Sequence, residues 1–316
     1  MTGPIAILET LPPDLRETIR EIAGPDLEIR YPASHDAAGL GAALEGAKVA
    51  VVRGVALPEA LLAGSDLSLI HQWGTGVDAI PVEAAKAAGI TVARCPGVNA
   101  PSIADHTLGL MLAVLRRIPQ TDASLKSGQW AMPDLWDKAR DLTGLQVGLL
   151  GFGAIAQEVA KRLQGFDCDV RYWKPSGDTG TAFGARYGAL EEVLGGSDVI
   201  SLHFPMSAAT RGFLGAERLA AMKPGSFLIN TARGGVVDEA ALIGALRDGP
   251  LAAAGLDVFA EEPTPADNPL LALENVVVLP HVGGRTRDNL HRMVAYWLAN
   301  IQRHLAGAAI PDKDLV

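Results

Sequence analysis

This sequence of 316 residues is poor in cysteine, in aromatic residues, in basic charge and in long apolar runs. Its two cysteines, Cys95 and Cys168, form no CxxC pair. They suggest no disulfide framework, and a reducing cytoplasm is the default compartment. No uncharged apolar run approaches the roughly 20 residues that span a bilayer, so no membrane partner is expected. The first residues, "MTGPIAILETLPPDL", have neither a basic n-region nor an apolar h-region, and no signal peptide is expected. Lys and Arg number 27 against 36 Asp and Glu, a formal net charge of −9, with no local basic patch. That balance argues against a nucleic-acid partner. No H-E-x-x-H motif or cysteine cluster is present, so no metal is expected. Internal repeats and low-complexity linkers are absent as well.

What is present alternates. In the first hundred residues, "IAILET", "KVAVVRG", "LSLIHQWG" and "ITVARCPG" read as buried strands. Between them lie Ala-, Leu- and Glu-rich stretches such as "PVEAAKAAG", which stops at a glycine as helices often do. Strands alternating with helices predict a parallel sheet with both faces covered. The character changes at "NAPSIADHTLGLMLAVLRRI", where Ser102 is a candidate N-cap with Asp105 in a capping-box position. That apolar helix is expected to connect two domains. From Leu145 a second series follows: "LQVGLLG", "CDVRYW", "SDVISLHF", "GSFLINTA", "LAAAGLDVF" and "NVVVLPH". A full dinucleotide-binding domain needs six such strands. The last stretch, "RTRDNLHRMVAYWLANIQRHLAG", is helical in pattern and is expected to pack back on the first domain. The fold class predicted is α/β, with one domain inserted in another.

"GLLGFGAIAQEVAKRLQGF" places Gly151, Gly153 and Ala156 in a G-x-G-x-x-A pattern after an apolar strand and at the start of a helix. Gly151 permits the tight turn, Gly153 lets the backbone approach a pyrophosphate, and a small residue at 156 lets helix pack on strand. The turn from Gly151 through Phe152, Gly153, Ala154 and Ile155 is therefore the expected phosphate cradle, aided by the positive end of the helix dipole. A little more than twenty residues on, where an acidic residue would hold the ribose hydroxyls, stands Lys174 in "DVRYWKPSG". A lysine offers donors and positive charge to a 2′-phosphate, and Ser176 adds a hydroxyl. This favours NADP(H) over NAD(H). The alternative is an exposed loop lysine without a part in cofactor choice.

Three later stretches each carry one reactive residue: "INTARGGVVDEAAL" with Arg233, "AGLDVFAEEP" with Glu262, and "VVVLPHVGGRT" with His281. Each follows a predicted strand, and ligands of doubly wound sheets bind outside the strands' carboxyl ends. The set suits hydride transfer to a 2-oxo acid. A histidinium donates the proton near neutral pH, a carboxylate orients and charges the imidazole, and a guanidinium binds the substrate carboxylate.

These stretches, together with "GTGVDAI" and "PGVNAPSIADHTLGLML", resemble the D-2-hydroxyacid dehydrogenase family, which includes glyoxylate/hydroxypyruvate reductases and phosphoglycerate dehydrogenases. The similarity runs from about Val49 to Gly284. The resemblance implies a flavodoxin-like substrate domain (1–100 and 285–316) with a Rossmann dinucleotide-binding domain (101–284) inserted. It implies Arg233, Glu262 and His281 as the catalytic residues, with Glu262 rather than Glu261 because Pro263 follows it. Gly74, Thr75 and Gly76 are expected to cradle the substrate carboxylate. Asp257 is expected at the nicotinamide carboxamide, Thr107 near the phosphates, His203 near the adenine, and Thr231 and Ala232 beside the cofactor. Asn99 falls at the interdomain hinge, about which domain closure is expected. Arg53 resembles an arginine that reaches the substrate in the phosphoglycerate branch, or is a solvated strand-end charge. Trp130 and Trp136 lie where the family often builds a dimer contact, and core packing is the default for both and for Trp73.

Departures from the family pattern are Lys174, where many members carry aspartate, and Asp105, where glutamate is more usual. The chain ends about thirty residues after "GGRT", which disfavours the allosteric serine-pathway enzymes, and its short amino-terminal part disfavours formate dehydrogenases. The expected activity is reduction of small 2-oxo acids to D-2-hydroxy acids by a homodimer. Oxidation of phosphite or formate, and a nucleotide-sensing corepressor, are the alternatives.

Overall fold

The computed structural model describes residues 3–130 and 135–316. The chain divides into two compact units, Met1–Asn99 with Arg285–Val316, and Ala100–Gly284.

The first unit has strands β1 (Ile5–Ile7), β2 (Ile29–Arg30), β3 (Val49–Val52), β4 (Leu69–Gln72) and β5 (Thr91–Ala93), with helices α1 (Pro13–Ala23), α2 (Ala37–Leu44) and α3 (Val82–Ala87) between them. All pair in parallel in the order β2-β1-β3-β4-β5, with Ile5 opposite Val49, Val49 opposite Leu69, and Leu69 opposite Thr91. This is the flavodoxin-like order, reversing between β1 and β3. Alternate residues serve opposite faces. Ile5, Ile7, Val49 and Val51 pack with Val294, Trp297 and Ile301 of the C-terminal helix Arg287–Leu305. Ala6, Leu8, Ala50 and Val52 pack with Leu40 and Leu44 of α2 and Ala85 of α3. Burial on both faces is why these strands read as unbroken apolar runs. The two-residue β2 was not among the strands the sequence predicts, because Ile29 and Arg30 are only half-buried and carry too short a pattern.

The second unit begins with helices α4 (Ala100–Leu115), α5 (Ile118–Lys126) and α6 (Leu135–Lys138). Then come β6 (Gln146–Leu150), α7 (Ala154–Leu163), β7 (Asp169–Trp173), β8 (Arg186–Tyr187), α8 (Leu190–Gly196), β9 (Val199–Leu202), α9 (Ala216–Ala220), β10 (Ser226–Asn230), α10 (Glu239–Arg247), β11 (Leu251–Leu256) and β12 (Val276–Val278). The order β12-β11-β10-β9-β6-β7-β8 holds the Rossmann arrangement, β8-β7-β6 on one side of the reversal and β9-β10-β11 on the other, with β12 added beyond β11; β8 is short and exposed. One face packs Met111 and Leu115 of α4 and Val159 and Leu163 of α7 on Val147 and Leu149. The other packs Val193, Leu219, Leu242 and Leu246 on Leu150, Ile200, Leu228 and Leu256.

Two expectations need correction here. Ser102 does not cap α4: the helix starts two residues earlier, Ser102 is buried within it, and Asp105 pairs with Arg162 at 2.5 Å instead of completing a capping box. Trp130 and Trp136 do not pack in a core, being 89% and 94% exposed. Among the described residues no helix is long and apolar enough to cross a membrane.

Candidate active site

The reversal point of the second sheet is built from backbone. Gly151 follows β6 with φ 95°, and a Cβ there would lie 2.7 Å from the His203 carbonyl oxygen. Both the left-handed conformation and the contact demand glycine. The Gly151 amide donates to the Trp173 carbonyl at 2.8 Å, so the end of β7 is tied to the turn and Lys174 is the next residue out. Lys174 is half-buried and Ser176 exposed, in a tight turn closed by Gly177 N–H donating to the Lys174 carbonyl at 3.1 Å. Tyr172 stiffens the loop beyond that turn: its hydroxyl accepts from the Thr179 amide at 2.9 Å and faces the Asp178 carboxylate at 2.8 Å.

Residues of the Gly151 turn fit a dinucleotide. Gly153 and Ala154 are exposed, Gly153 is the N-cap of α7 without a side-chain cap, and a Cβ at 153 would meet no atom of the described residues within 4 Å. The first amides of α7 are thus free of a competing cap for an anion. Phe152 contributes backbone only, since its ring stacks on Tyr172 at 3.8 Å. His203 is pushed down to about 3 by burial, and its Nε2 has no partner among the described residues. Thr107 has no exposed surface. Its hydroxyl bonds the Ile103 carbonyl at 2.7 Å and the Thr231 hydroxyl at 2.9 Å instead. Ala232 and Arg233 follow on the same loop, which Asn230 organises by accepting from the Ala232 amide and donating to the Arg233 carbonyl, each at 3.0 Å.

Arg233, Glu262 and His281 all stand on loops after β10, β11 and β12 of this unit. Gly234 lets the first two loops touch: a Cβ there would lie 1.8 Å from the Phe259 carbonyl carbon. His281 Nδ1 donates to Glu262 Oε2 at 2.7 Å, and Glu262 Oε1 accepts from the Phe259 amide at 3.0 Å. Burial alone would raise the Glu262 carboxyl. The His281 hydrogen bond, the Phe259 amide and the charges of His281 and Arg233 outweigh it and hold the group below the usual glutamate range.

His281 has φ 52°, a left-handed conformation that costs a non-glycine residue about 1–3 kcal/mol. Asp257 holds it there. The Asp257 carbonyl accepts from the His281 amide at 2.8 Å, and its carboxylate accepts from the Val282 and Gly283 amides at 2.9 Å each. His106 Nε2 lies 3.3 Å from the same carboxylate, and Asp257 is 2% exposed. The family resemblance places Asp257 only at the cofactor, without His106. Their pairing across about 150 residues leaves no local signal.

The remaining expected residues belong to the first unit. Arg53 follows β3, its Nη1 3.3 Å from Glu9 Oε1 after β1, and it lies over the Trp73 ring at 5.9 Å. Trp73 itself is buried against Trp297. Gly74, Thr75 and Gly76 form a half-buried turn after β4.

A family model described as D-isomer specific 2-hydroxyacid dehydrogenase, NAD binding domain, matches residues 108–283. The chain is 43% identical over 234 residues to a hydroxypyruvate reductase of Thermotoga maritima, covering 73% of this chain and 75% of that one. It is 39% identical over 252 residues to a D-3-phosphoglycerate dehydrogenase of Archaeoglobus fulgidus, covering 78% of this chain but 47% of that one. The chain thus spans about half the length of the phosphoglycerate dehydrogenases it matches. Among solved structures, the TT0316 protein of Thermus thermophilus superposes with a TM-score of 0.88 at 37% identity over 99% of both chains.

Proposed function

From the premise that the chain belongs to the D-isomer specific 2-hydroxyacid dehydrogenase family, we propose that it reduces small 2-oxo acids of the glyoxylate and hydroxypyruvate kind to D-2-hydroxy acids, with NADPH favoured over NADH. The observation that carries this reading is the 2.7 Å bond from His281 Nδ1 to Glu262, on a loop pressed against that of Arg233. A bound reduced nicotinamide supplies the hydride that the substrate's C2 accepts. His281 keeps its Nδ1 proton on Glu262, which leaves Nε2 to give its proton to the carbonyl oxygen. Glu262 stabilises the imidazolium before that transfer and fixes the ring's direction. Arg233 pairs with the substrate carboxylate through directional hydrogen bonds. By resemblance, the Gly74–Gly76 amides and Arg53 are assigned to the substrate too.

Lys174 is assigned to the 2′-phosphate, supported by its place one residue beyond the strand end that bonds Gly151. A cytoplasmic homodimer completes the reading. The dimer is supported by Trp130, Trp136, Ile118 and Leu125, large apolar side chains left exposed within one short stretch of sequence. Sedimentation as a monomer would remove the dimer from it.

The test is steady-state reduction of glyoxylate and hydroxypyruvate with NADPH and NADH side by side. His281→Ala is expected to lower kcat by on the order of 10²–10⁴-fold with dinucleotide affinity unchanged. Undiminished turnover in that variant overturns the reading. A kcat/KM ratio of about ten in favour of NADPH corresponds to about 1.4 kcal/mol, and Lys174→Asp is expected to reverse it. Equal use of both cofactors removes Lys174 from the assignment.

A further inference from the structure

In the first unit a carboxylate is buried where stability alone does not ask for one. Asp314 is 1% exposed. Its Oδ1 accepts from the Tyr296 hydroxyl at 2.7 Å and its Oδ2 from Asn300 Nδ2 at 3.0 Å, both on the C-terminal helix. Asn300 Nδ2 also faces His71 Nε2 at 3.2 Å, and His71 Nδ1 donates to the Gln72 carbonyl at 2.8 Å. His71 is fully buried, and burial pushes it down to about 4, so it is neutral with its tautomer set by these two contacts. Arg303 reaches the cluster by donating to Asn300 Oδ1 at 3.0 Å. The carboxylate itself is bound by neutral donors. Replacing such buried polar groups by apolar ones is often neutral or stabilising, so the network points to a specified geometry.

The geometry it specifies leads to the turn after β4. While the Asp314 side chain is anchored to the helix, its carbonyl accepts from the Arg94 amide at 2.8 Å. Leu315 bridges Ala93, and the Val316 amide donates to Val92 at 3.1 Å, which lays this segment along the edge of β5. The next residue, Cys95, holds the turn twice. Its amide donates to the Gly74 carbonyl at 2.8 Å, and its carbonyl accepts from Thr75 Oγ1 at 2.9 Å.

We propose that Asp314 is a positioning residue for substrate binding, holding the Gly74–Thr75 turn in shape through Arg94 and Cys95. The proposal rests on the assignment of that turn to the substrate carboxylate. With 1% of its surface exposed, Asp314 is not placed to meet the substrate itself. It acts by keeping the turn amides aimed, so its loss weakens substrate binding and leaves the dinucleotide alone.

The experiment compares the wild-type chain with Asp314→Asn, an isosteric change that sets an amide against donors. Single-amide hydrogen exchange is measured alongside kinetics. The expected result is a rise of about tenfold in KM for the 2-oxo acid, with kcat and dinucleotide affinity within about twofold, and exchange at Cys95 faster by about tenfold. Tyr296→Phe, which removes one donor and keeps the ring, is expected to do the same by about threefold and serves if Asp314→Asn does not fold. Unchanged KM and unchanged Cys95 exchange in a folded variant that turns over normally overturn the positioning role alone. Absence of turnover in the wild type overturns the functional reading, and the substrate half of this proposal with it.

Discussion

In the first sheet the strand order reverses between β1 and β3, and the loops leaving those strands carry Glu9 and Arg53, 3.3 Å apart. In the second it reverses between β6 and β9, and the loops carry Gly151 with its left-handed φ against the His203 carbonyl. The same topology opens a crevice in each, but one is lined by side chains and the other by bare backbone. A backbone-lined crevice has to be written in glycine, because nothing else fits. A side-chain-lined one needs only two residues that meet across 44 positions, and many pairs would do.

The largest expected effect breaks the second crevice. Gly151→Ala adds a Cβ against a carbonyl in a conformation that already excludes it. Dinucleotide affinity is expected to fall at least about 100-fold, about 2.8 kcal/mol at 1.4 per decade. Gly54→Ala at the first crevice, where a Cβ would lie 3.8 Å from Glu9 Oε2, is expected to leave dinucleotide affinity and Tm unchanged. Fluorescence titration of the two variants decides it, and equal tolerance at both positions would dissolve the contrast.

A middle effect concerns the loops that the glycine of the second unit brings together. Glu262→Gln is expected to lower kcat by on the order of 10²-fold, since the imidazolium loses its countercharge. The carboxylate's folded pKa lies below its ordinary value. Its stabilising contribution is therefore complete above the ordinary glutamate range and is lost as pH falls through the lower, folded value. The Tm difference between wild type and variant should accordingly be flat near neutrality and close on acidification. A difference that grows with acid would have the sign wrong.

The smallest effect sharpens the first crevice. Glu9→Gln removes the charge partner of Arg53 but leaves the guanidinium in place. A change of a few-fold in substrate KM and at most about 1 kcal/mol in stability is expected, because the pair is partly exposed to water. Dinucleotide affinity should not move, and a shift in it would mean that the first crevice is not confined to substrate.

The parallel sheets were legible because strands buried on both faces need unbroken apolar runs, as "KVAVVRG" and "NVVVLPH" have. The two-residue strands β2 and β8 were not, since half-buried or exposed pairs carry no pattern. Lys174 was legible as an anomaly one residue beyond an expected strand end. Ser102 misled because a serine followed by an acid three residues on looks the same inside a helix as at its start, and only the hydrogen-bond ladder tells them apart. Trp130 and Trp136 misled in the other direction, because the prior that large aromatics are buried knows nothing of a surface left apolar.

What the sequence by itself determined is whatever a residue type imposes locally. The glycine at 151 marks a turn that other residues make only with strain, the apolar runs mark the sheets, and Arg233, Glu262 and His281 fall on the loops that follow three of the strands. Tertiary structure alone decided which partners those residues keep. His281 is held left-handed by Asp257, Asp257 is faced by His106, and the Arg94 amide is taken by the Asp314 carbonyl from a distant part of the sequence. The reason is physical: a hydrogen bond reads distance and direction in space, and at long separation neither leaves a trace in the order of residues.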